Sequence, residues 1–158
     1  NEIIAVDLYE SKLRLAKKCG ATITVNSKKI DVWEMLNKRF KKVNLDVFID
    51  NTGNTEVMAR GYEILSKTGE LIFVGVPAFK NKLKINTLPL HFGKYISGTH
   101  GGETNPELDI PRYMTLLRNK NIDLEQIITK TDVLKNINHI IENIKNGKIA
   151  GRAILKFS

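Results

Sequence analysis

The chain has 158 residues, of which 42% are hydrophobic, so it can bury one core and is too short for two full domains. It contains no apolar run long enough to span a membrane and no signal peptide at its start, which predicts a cytoplasmic protein. Its single cysteine, Cys19, excludes an internal disulfide, and its three histidines lack the spacing of metal ligands.

The formal net charge of +8 is compatible with an anionic partner. However, the lysines are scattered over the whole chain, and the sequence has no basic arm and no aromatic residues interleaved with the charges. We therefore do not expect a nucleic-acid-binding protein.

The first element is a short apolar run, Ile3 to Val6, that ends at Asp7. Because the run does not alternate with polar residues, it predicts a parallel strand that is covered on both faces. Asp7 has two interpretations. It can cap the following helix. In dinucleotide-binding folds, an acid at this place accepts hydrogen bonds from the adenosine ribose and repels a 2′-phosphate, which favours NAD over NADP.

Helices and strands then alternate along the chain. Helical spacing of apolar residues follows Asp7 and stops at Gly20, and a second short strand is predicted over 21–25. Residues 31–40 predict a helix that Asp31 caps, with an apolar stripe formed by Val32, Leu36 and Phe40.

The same pattern continues to Pro77. A third strand over 45–50 again ends in an acid, and Asn54 or Thr55 starts the next helix. A turn at 68–69 leads to a fourth buried strand, which ends before Pro77. The predicted inner face of the helix consists of Val57, Met58, Gly61, Tyr62 and Leu65.

Such alternation predicts a parallel sheet with helices on both faces. Right-handed crossovers bring the carboxyl ends of the strands to one edge, so Asp7, residues 51–53 and residues 75–77 should line one crevice. Gly53 and Gly75 are either ordinary turn glycines or positions where a ligand approaches the backbone.

The last third of the chain has a different character. A strand at 94–102 closes on a glycine pair, and Asp109 with Pro111 opens a short helix. Residues 131–148 predict one long helix that ends at Gly147, and a final strand follows at 151–157. The residues expected to face inward are Tyr113, Leu116 and Leu117 in the first helix and Leu134, Ile137, Ile140, Ile141 and Ile144 in the second.

A histidine and an arginine in this region are considered as functional residues. His139 lies off the apolar stripe and is interpreted as exposed and without function. Arg152 is either a surface charge or a ligand of a pyrophosphate, which its planar donor fork suits.

Five segments together resemble one family, the zinc-dependent medium-chain alcohol and polyol dehydrogenases. In order they are IIAVDLYESKLRLAKKCGAT, DVFIDNTGN, GELIFVGVP, SGTHGG and NGKIAGRAILKF, and they cover essentially the whole chain. The resemblance implies a partial Rossmann-type fold, a doubly wound parallel α/β sheet that lacks its first strand and glycine-rich loop. It also implies a partial NAD(P)-binding domain at 1–100, followed at 101–158 by elements that return towards the catalytic domain.

The resemblance also implies functional residues. Asp7 and Lys12 match the pair that holds the ribose, and Arg152 matches the arginine that contacts the pyrophosphate. Asn51, Thr52 and Gly53 match the strand-end turn that lines the cofactor cleft. Val74, Gly75 and Val76 match the backbone that meets the nicotinamide, and Thr99 and His100 match the residues near its carboxamide. In the family, the strand at Tyr95–Gly98 often pairs across a two-fold axis, which implies a homodimer.

No catalytic residue and no zinc ligand of the family can be placed on this sequence, so zinc is expected only in a catalytic domain absent from it. Because the chain starts inside the nucleotide-binding domain, the strands ending at Asp7 and Asp50 should have unpaired edges. Three outcomes are open: these two strands pair directly, a strand is borrowed from another copy, or a gap remains.

The expected function is therefore the cofactor-binding part of an NAD-dependent zinc dehydrogenase that acts on an alcohol or polyol. Without the helix terminus that cradles the pyrophosphate, the chain alone should bind NAD weakly and have no catalytic activity. The alternative is a non-catalytic dimerisation or nucleotide-sensing module.

Overall fold

The computed structural model describes residues 2–41, 44–119 and 123–157. Contacts divide the chain into two compact units, a first unit of Asn1–Val32 with Glu107–Ser158 and a second unit of Trp33–Pro106. In chain order the regular elements are β1 (Ile4–Asp7), α1 (Glu10–Lys18), β2 (Ile23–Asn26), α2 (Val32–Phe40), β3 (Val47–Asp50), α3 (Thr55–Ile64), β4 (Glu70–Phe73), β5 (Tyr95–Gly98), α4 (Pro106–Asn119), β6 (Ile128–Val133), α5 (Ile137–Lys145) and β7 (Arg152–Lys156).

All strand pairs among these elements are parallel. The first unit contains the pairs β1–β2 and β6–β7, and the second contains the sheet β3–β4–β5. Parallel strands that alternate with helices confirm the predicted α/β, Rossmann-type class. Within the described chain, β1 pairs with β2 in the first unit, and β3 pairs with β4 in the second.

The second unit has a core of Tyr62, Leu65 and Leu71, against which flanking apolar side chains pack. Gly61 allows α3 to approach the sheet closely, because a Cβ atom there would lie 2.5 Å from the ring of Phe48. Asn54 caps α3, and its side-chain oxygen accepts hydrogen bonds from the amides of Glu56 and Val57. The flanking side chains are Leu45, Phe48, Phe73, Ile85 and Ile96.

The first unit holds α1 and the residue before it against the loop that precedes β7. The ring of Tyr9 lies on Gly147, where a Cβ atom would come within 2.3 Å of the ring, and Leu15 lies against Gly151. Leu13 is buried on the inner side of α1. As predicted, Gly20 stops α1: the helix ends at Lys18 with Cys19 as its capping residue, and the φ of Gly20, +107°, lies in the left-handed region.

The prediction for the start of α4 was wrong. The helix begins at Pro106, and Pro111 lies inside it. A proline is tolerated in the first turn of a helix because the first amides have no acceptor there, so either proline fits the same sequence signal. The inward orientation also fails, since Tyr113 is 49% and Leu116 is 45% exposed.

The predicted long helix over 131–148 is also wrong in its first part. Residues 131–133 belong to β6, which the sequence analysis missed, and α5 starts only at Ile137. The carboxylate of Asp132 accepts hydrogen bonds from the Val133 amide and the Asn136 side chain, which stabilises the end of the strand. Within the apolar stripe only Ile140 is buried, whereas Leu134, Ile137, Ile141 and Ile144 remain exposed.

The expectation that β1 is covered on both faces is not met, and β3 is also partly open. Val6 in β1 is 44% exposed, and Val47 and Ile49 in β3 are 45% and 54% exposed. Successive side chains of a strand point to opposite faces, so Val47 and Ile49 lie on one face of β3, which the described part of the second unit leaves open. A continuous apolar run therefore did not show how far a strand is covered.

Candidate functional site

Asp50 organises the carboxyl end of β3. Its side chain is buried, and its two oxygens accept hydrogen bonds from the Thr52 amide at 3.1 Å, the Thr52 hydroxyl at 2.6 Å and the Gly53 amide at 2.9 Å. Its backbone carbonyl accepts from the amides of Val74 and Gly75 at 2.9 and 2.8 Å. One residue therefore fixes the turn after β3 and joins it to the end of β4.

The two glycines at these strand ends are explained by contact between the two segments. Gly53 has a φ of +69°, and a Cβ atom there would lie 2.4 Å from the carbonyl oxygen of Val76. A Cβ atom on Gly75 would lie 2.2 Å from the amide nitrogen of Gly53. Both positions require glycine because protein backbone approaches protein backbone, so neither glycine by itself indicates a ligand.

The structure brings residues 51–53 and 75–77 together, as the sequence analysis predicted for these two segments. Asp7, the third residue of the predicted crevice, belongs to the first unit. Asn51 and Thr52 are exposed, and Val74 and Val76 are 46% and 89% exposed, so these side chains are accessible at the strand ends next to the buried Asp50. The arrangement presents an amide, a hydroxyl and two apolar side chains at one edge of the sheet.

Thr99 and His100 follow β5 at the same edge of the second unit. The Thr99 amide donates to the carbonyl of Phe73 at 3.0 Å, and its hydroxyl accepts from the Gly102 amide at 2.8 Å. His100 is exposed. The chain then turns through Gly101, Gly102 and Glu103, all with positive φ, and Glu103 at +52° adopts a backbone conformation that is unfavourable for a side chain with a Cβ atom.

In the first unit, Asp7 lies at the carboxyl end of β1 and is partly exposed. Its Oδ1 accepts a hydrogen bond from the Tyr9 amide at 3.0 Å, and its Oδ2 lies 3.8 Å from the Nζ of Lys12. The capping residue of α1 is Tyr9, which makes no side-chain capping bond. Asp7 therefore forms a turn ahead of the helix and is not its capping residue, which excludes the simpler of its two interpretations.

Two lysines flank the ring of Tyr9 next to Asp7. The Nζ atoms of Lys12 and Lys28 lie 5.3 and 4.3 Å from the ring centroid, within the range of cation–π attraction. The sequence analysis missed Tyr9 and Lys28, because their meeting depends on the parallel pairing that sets Asp7 opposite Asn26.

A short polar network continues from this place along β2. The carboxylate of Glu10 accepts hydrogen bonds from the Asn26 amide group at 2.7 Å and lies 2.8 Å from the ammonium of Lys29. The hydrogen bond from Lys29 is the main cause that lowers the pKa of Glu10 below its ordinary value.

Arg152 is exposed and begins β7, directly after Gly151 with its φ of +79°. Within the described residues it forms no ion pair, with Asp7 or with any other acid. The structure thus brings Asp7 and Lys12 together within the first unit.

Neither a metal site nor a membrane span is present in the described segments. No three side chains of histidine, cysteine, aspartate or glutamate are arranged there to hold a metal ion, so the residues present do not fit zinc. No described helix combines the length and the apolar character that a membrane crossing requires.

The sequence profile of the zinc-binding dehydrogenase family matches residues 1–119. The chain belongs to this family. Among curated dehydrogenases, alcohol dehydrogenase 2 of Zea mays is 29% identical over 94% of the chain, and alcohol dehydrogenase 1 of Pisum sativum is 28% identical over 99%. The chain spans about 40% of the length of these two relatives.

Solved dehydrogenase structures agree with the fold. The chain superimposes over its full length on 43% of benzyl alcohol dehydrogenase from Acinetobacter calcoaceticus, with a TM-score of 0.86 and 28% identity. A zinc-binding dehydrogenase from Sinorhizobium meliloti bound to NADP matches with a TM-score of 0.74 and 23% identity. The match covers 99% of this chain and 44% of the dehydrogenase chain, and at this identity it shows a shared fold alone. The family resemblance predicted from the sequence is confirmed.

Proposed function

We propose that this chain forms the cofactor-binding part of an NAD-dependent zinc dehydrogenase of the cytoplasm that acts on an alcohol or polyol. The single observation that carries the proposal is the Asp7 carboxylate, which lies at the end of a parallel strand with one oxygen bound by the Tyr9 amide. Such a carboxylate is suited to accept hydrogen bonds from the two hydroxyls of an adenosine ribose.

The residues of the first unit suit the adenosine half of the cofactor. Lys12 lies 3.8 Å from the Asp7 carboxylate and has a partly exposed side chain, so it can turn to a ribose oxygen without losing a buried partner. Arg152 would hold the pyrophosphate, since its exposed guanidinium offers two parallel donors. The negative charge of Asp7 disfavours a 2′-phosphate, which supports NAD over NADP.

The strand ends of the second unit suit the nicotinamide half. Bound NAD would supply a hydride acceptor, and these residues would bind and orient its ring. The exposed side chains of Val74 and Val76 offer an apolar contact, while Thr99 and His100 offer polar atoms at the end of the neighbouring strand. Asn51, Thr52 and Gly53 would line the cleft beside them.

The experiment is a fluorescence titration of the chain with NADH and, in parallel, with NADPH. We expect saturable but weak binding that prefers NADH and is lost in Asp7→Ala. Asp46→Ala is the matched control, because it removes the same charge from an exposed position of the second unit. Equal binding by the Asp7→Ala variant, or a preference for NADPH, would contradict the proposal.

Catalytic inactivity of the chain on its own remains a prediction. It is checked by assaying NAD reduction with simple alcohols and polyols, with and without added zinc. Turnover that follows the purified chain and not a contaminating dehydrogenase would overturn it.

We also propose a homodimer through β5, as the family resemblance implies for the strand at Tyr95–Gly98. The strand pairs with β4 on one side, and Tyr95 is 59% exposed. An unpaired strand edge can add a strand from a second copy. Tyr95→Asp should shift the mass measured by sedimentation from dimer to monomer, whereas Phe79→Asp, at another exposed aromatic residue, should not. A monomeric unmodified chain at high concentration would refute the dimer.

A further inference from the structure

We propose that the first unit binds a small organic phosphate in a cleft between α1, β6 and the loop before β7. The cleft has a volume of about 360 Å³, which is within the range of small-molecule sites. Its lining includes neither Asp7 nor Lys12, so the inference does not depend on the proposed cofactor role.

The lining of the cleft is strongly cationic. Arg14 and Lys18 enter from α1, Lys130 from β6 and Lys148 from the loop, and none of the described residues that line the cleft is acidic. Several cations around one concave surface raise the local concentration of anions, because the positive potentials of the cations add. A ligand with more than one negative charge would gain most from this arrangement.

Two acidic residues that interact with these cations are already engaged. Glu10 attracts Arg14 but is bound to Lys29 and Asn26, and Asp132 lies 3.3 Å from Lys130. Within the described residues, Arg14, Lys18 and Lys148 form no ion pair. The cleft therefore keeps a net positive charge after its neighbours are considered.

The floor of the cleft is apolar and closely packed. It is formed by Leu15, Ile149 and the buried Ala150, whose carbonyl accepts a hydrogen bond from the hydroxyl of Thr129. At Gly151 the backbone packs so tightly that a Cβ atom would lie 2.3 Å from the carbonyl oxygen of Ile127.

An apolar floor with a cationic rim matches a ligand that joins an apolar body to a dianionic head. A phosphate monoester has both parts, and its oxygens fit the planar donor fork of an arginine as well as the point charges of lysines. A single carboxylate carries only one charge and would use fewer of the four cations. The chemistry of the cleft thus selects an organic phosphate.

The experiment is calorimetric titration of the full chain with phenyl phosphate and with inorganic phosphate. Phenyl phosphate combines an apolar ring with a dianion, and inorganic phosphate is the corresponding ion without the ring. We expect saturable binding of phenyl phosphate with a Kd below about 1 mM. Inorganic phosphate should bind at least about threefold more weakly, since the apolar floor contributes only with a ring present.

Two matched double variants distinguish binding at a defined site from general electrostatic attraction between the phosphate and the positively charged chain. Arg14→Gln with Lys148→Gln should weaken phenyl phosphate binding by about tenfold or more, because two cations of the rim are lost. Lys80→Gln with Lys82→Gln removes the same charge from exposed positions of the second unit and should change the Kd by less than about twofold. Asp7→Ala should also leave it unchanged within about twofold.

Three results would overturn the proposal: no saturation, equal weakening in the two double variants, or equal affinity for the two phosphates. Amide shifts measured by NMR on the unmodified chain give a second test that does not depend on the variants folding. The largest shifts on adding phenyl phosphate should occur at Leu15, Ile149 and Ala150. Shifts confined to other segments would contradict the assignment.

Discussion

Asp7 and Asp50 each end a short apolar parallel strand, yet they have opposite environments. Asp50 is 1% exposed, and its carboxylate accepts three hydrogen bonds from the turn that follows it. The Asp7 side chain is 32% exposed, accepts one backbone hydrogen bond and has Lys12 as its charged neighbour. The same local motif therefore forms an internal brace in one unit and an accessible acceptor in the other.

The difference follows from the residues after each acid. After Asp50 the sequence Asn-Thr-Gly folds back on the carboxylate, and Gly53 supplies the positive φ that this turn requires. After Asp7 the chain continues through Leu8 and Tyr9 into α1, so only one amide reaches the carboxylate. A strand that ends in an acid predicts a binding residue only where the next turn leaves the acid unsatisfied.

The largest effect on the free energy of unfolding is expected at the packed strand ends of the second unit. Gly75→Ala places a Cβ atom against the backbone of Gly53 and should reduce the free energy of unfolding by about 3 kcal/mol or more. Urea unfolding followed by fluorescence of Trp33, the single tryptophan and part of the same unit, measures this loss. Gly98→Ala is the control, since no atom lies within 4 Å of its Cβ position. Equal stability of the two variants would mean that the close approach is not a constraint.

The next prediction tests the comparison of the two acids directly. Asp50→Asn keeps the shape of the side chain but turns a donor group towards the donors of the turn, so we expect a loss of about 2 kcal/mol. Asp7→Asn should lose less than about 0.5 kcal/mol, because its partners are partly exposed. Urea unfolding followed by far-UV circular dichroism measures both variants. A larger loss for Asp7→Asn would reverse the roles assigned to the two residues.

Tyr62 tests the cost of a buried polar group without a partner, because its hydroxyl is buried and has no hydrogen-bond partner among the described residues. Tyr62→Phe should therefore raise the free energy of unfolding by about 1 kcal/mol. It keeps the ring beneath Lys94 and the backbone carbonyl that accepts from the Lys94 ammonium at 2.8 Å. Unchanged or reduced stability would indicate that the hydroxyl has a favourable partner.

The pH dependence of this variant has a definite sign. Burial raises the pKa of Tyr62 above its ordinary value of about 10, so above that pH the unfolded chain loses the proton first. The unmodified protein is then destabilised as the pH rises, and the advantage of Tyr62→Phe should grow above pH 10. Burial lowers the pKa of Lys94, but this residue is present in both proteins and its contribution cancels in the difference. An advantage that shrinks above pH 10 would contradict the assignment.

Local signals predicted the elements that position the site. Asn54 starts α3, Gly20 ends α1, and the strands before Asp7, Asp50 and Val74 lie where their apolar runs indicate, because each signal acts over a few residues. The prediction failed where the local structure depends on residues that are far apart in the sequence.

Three failures show what the sequence could not supply. β6 is recognisable as a strand mainly through its pairing with β7, which lies far along the chain. The cluster of Tyr9 with Lys28 depends on the pairing of β1 with β2, and the glycine requirement at Gly75 depends on a contact with Gly53. Pairing partners and close approaches are long-range properties, so no local pattern contains them.

The smallest effect on stability is expected at Lys12, where a change in function should appear without a change in folding. Lys12→Gln should lower the free energy of unfolding by less than about 0.5 kcal/mol, since its carboxylate partner lies 3.8 Å away and both side chains are partly exposed. The same variant should weaken NADH binding severalfold, because a positive donor beside the ribose would be lost. Lys38→Gln, in an exposed pair with Glu34 at 2.6 Å, should match its stability and leave NADH binding unchanged. Equal NADH affinity in the two variants would make the Asp7–Lys12 pair an ordinary surface ion pair and would remove the functional half of the comparison with Asp50.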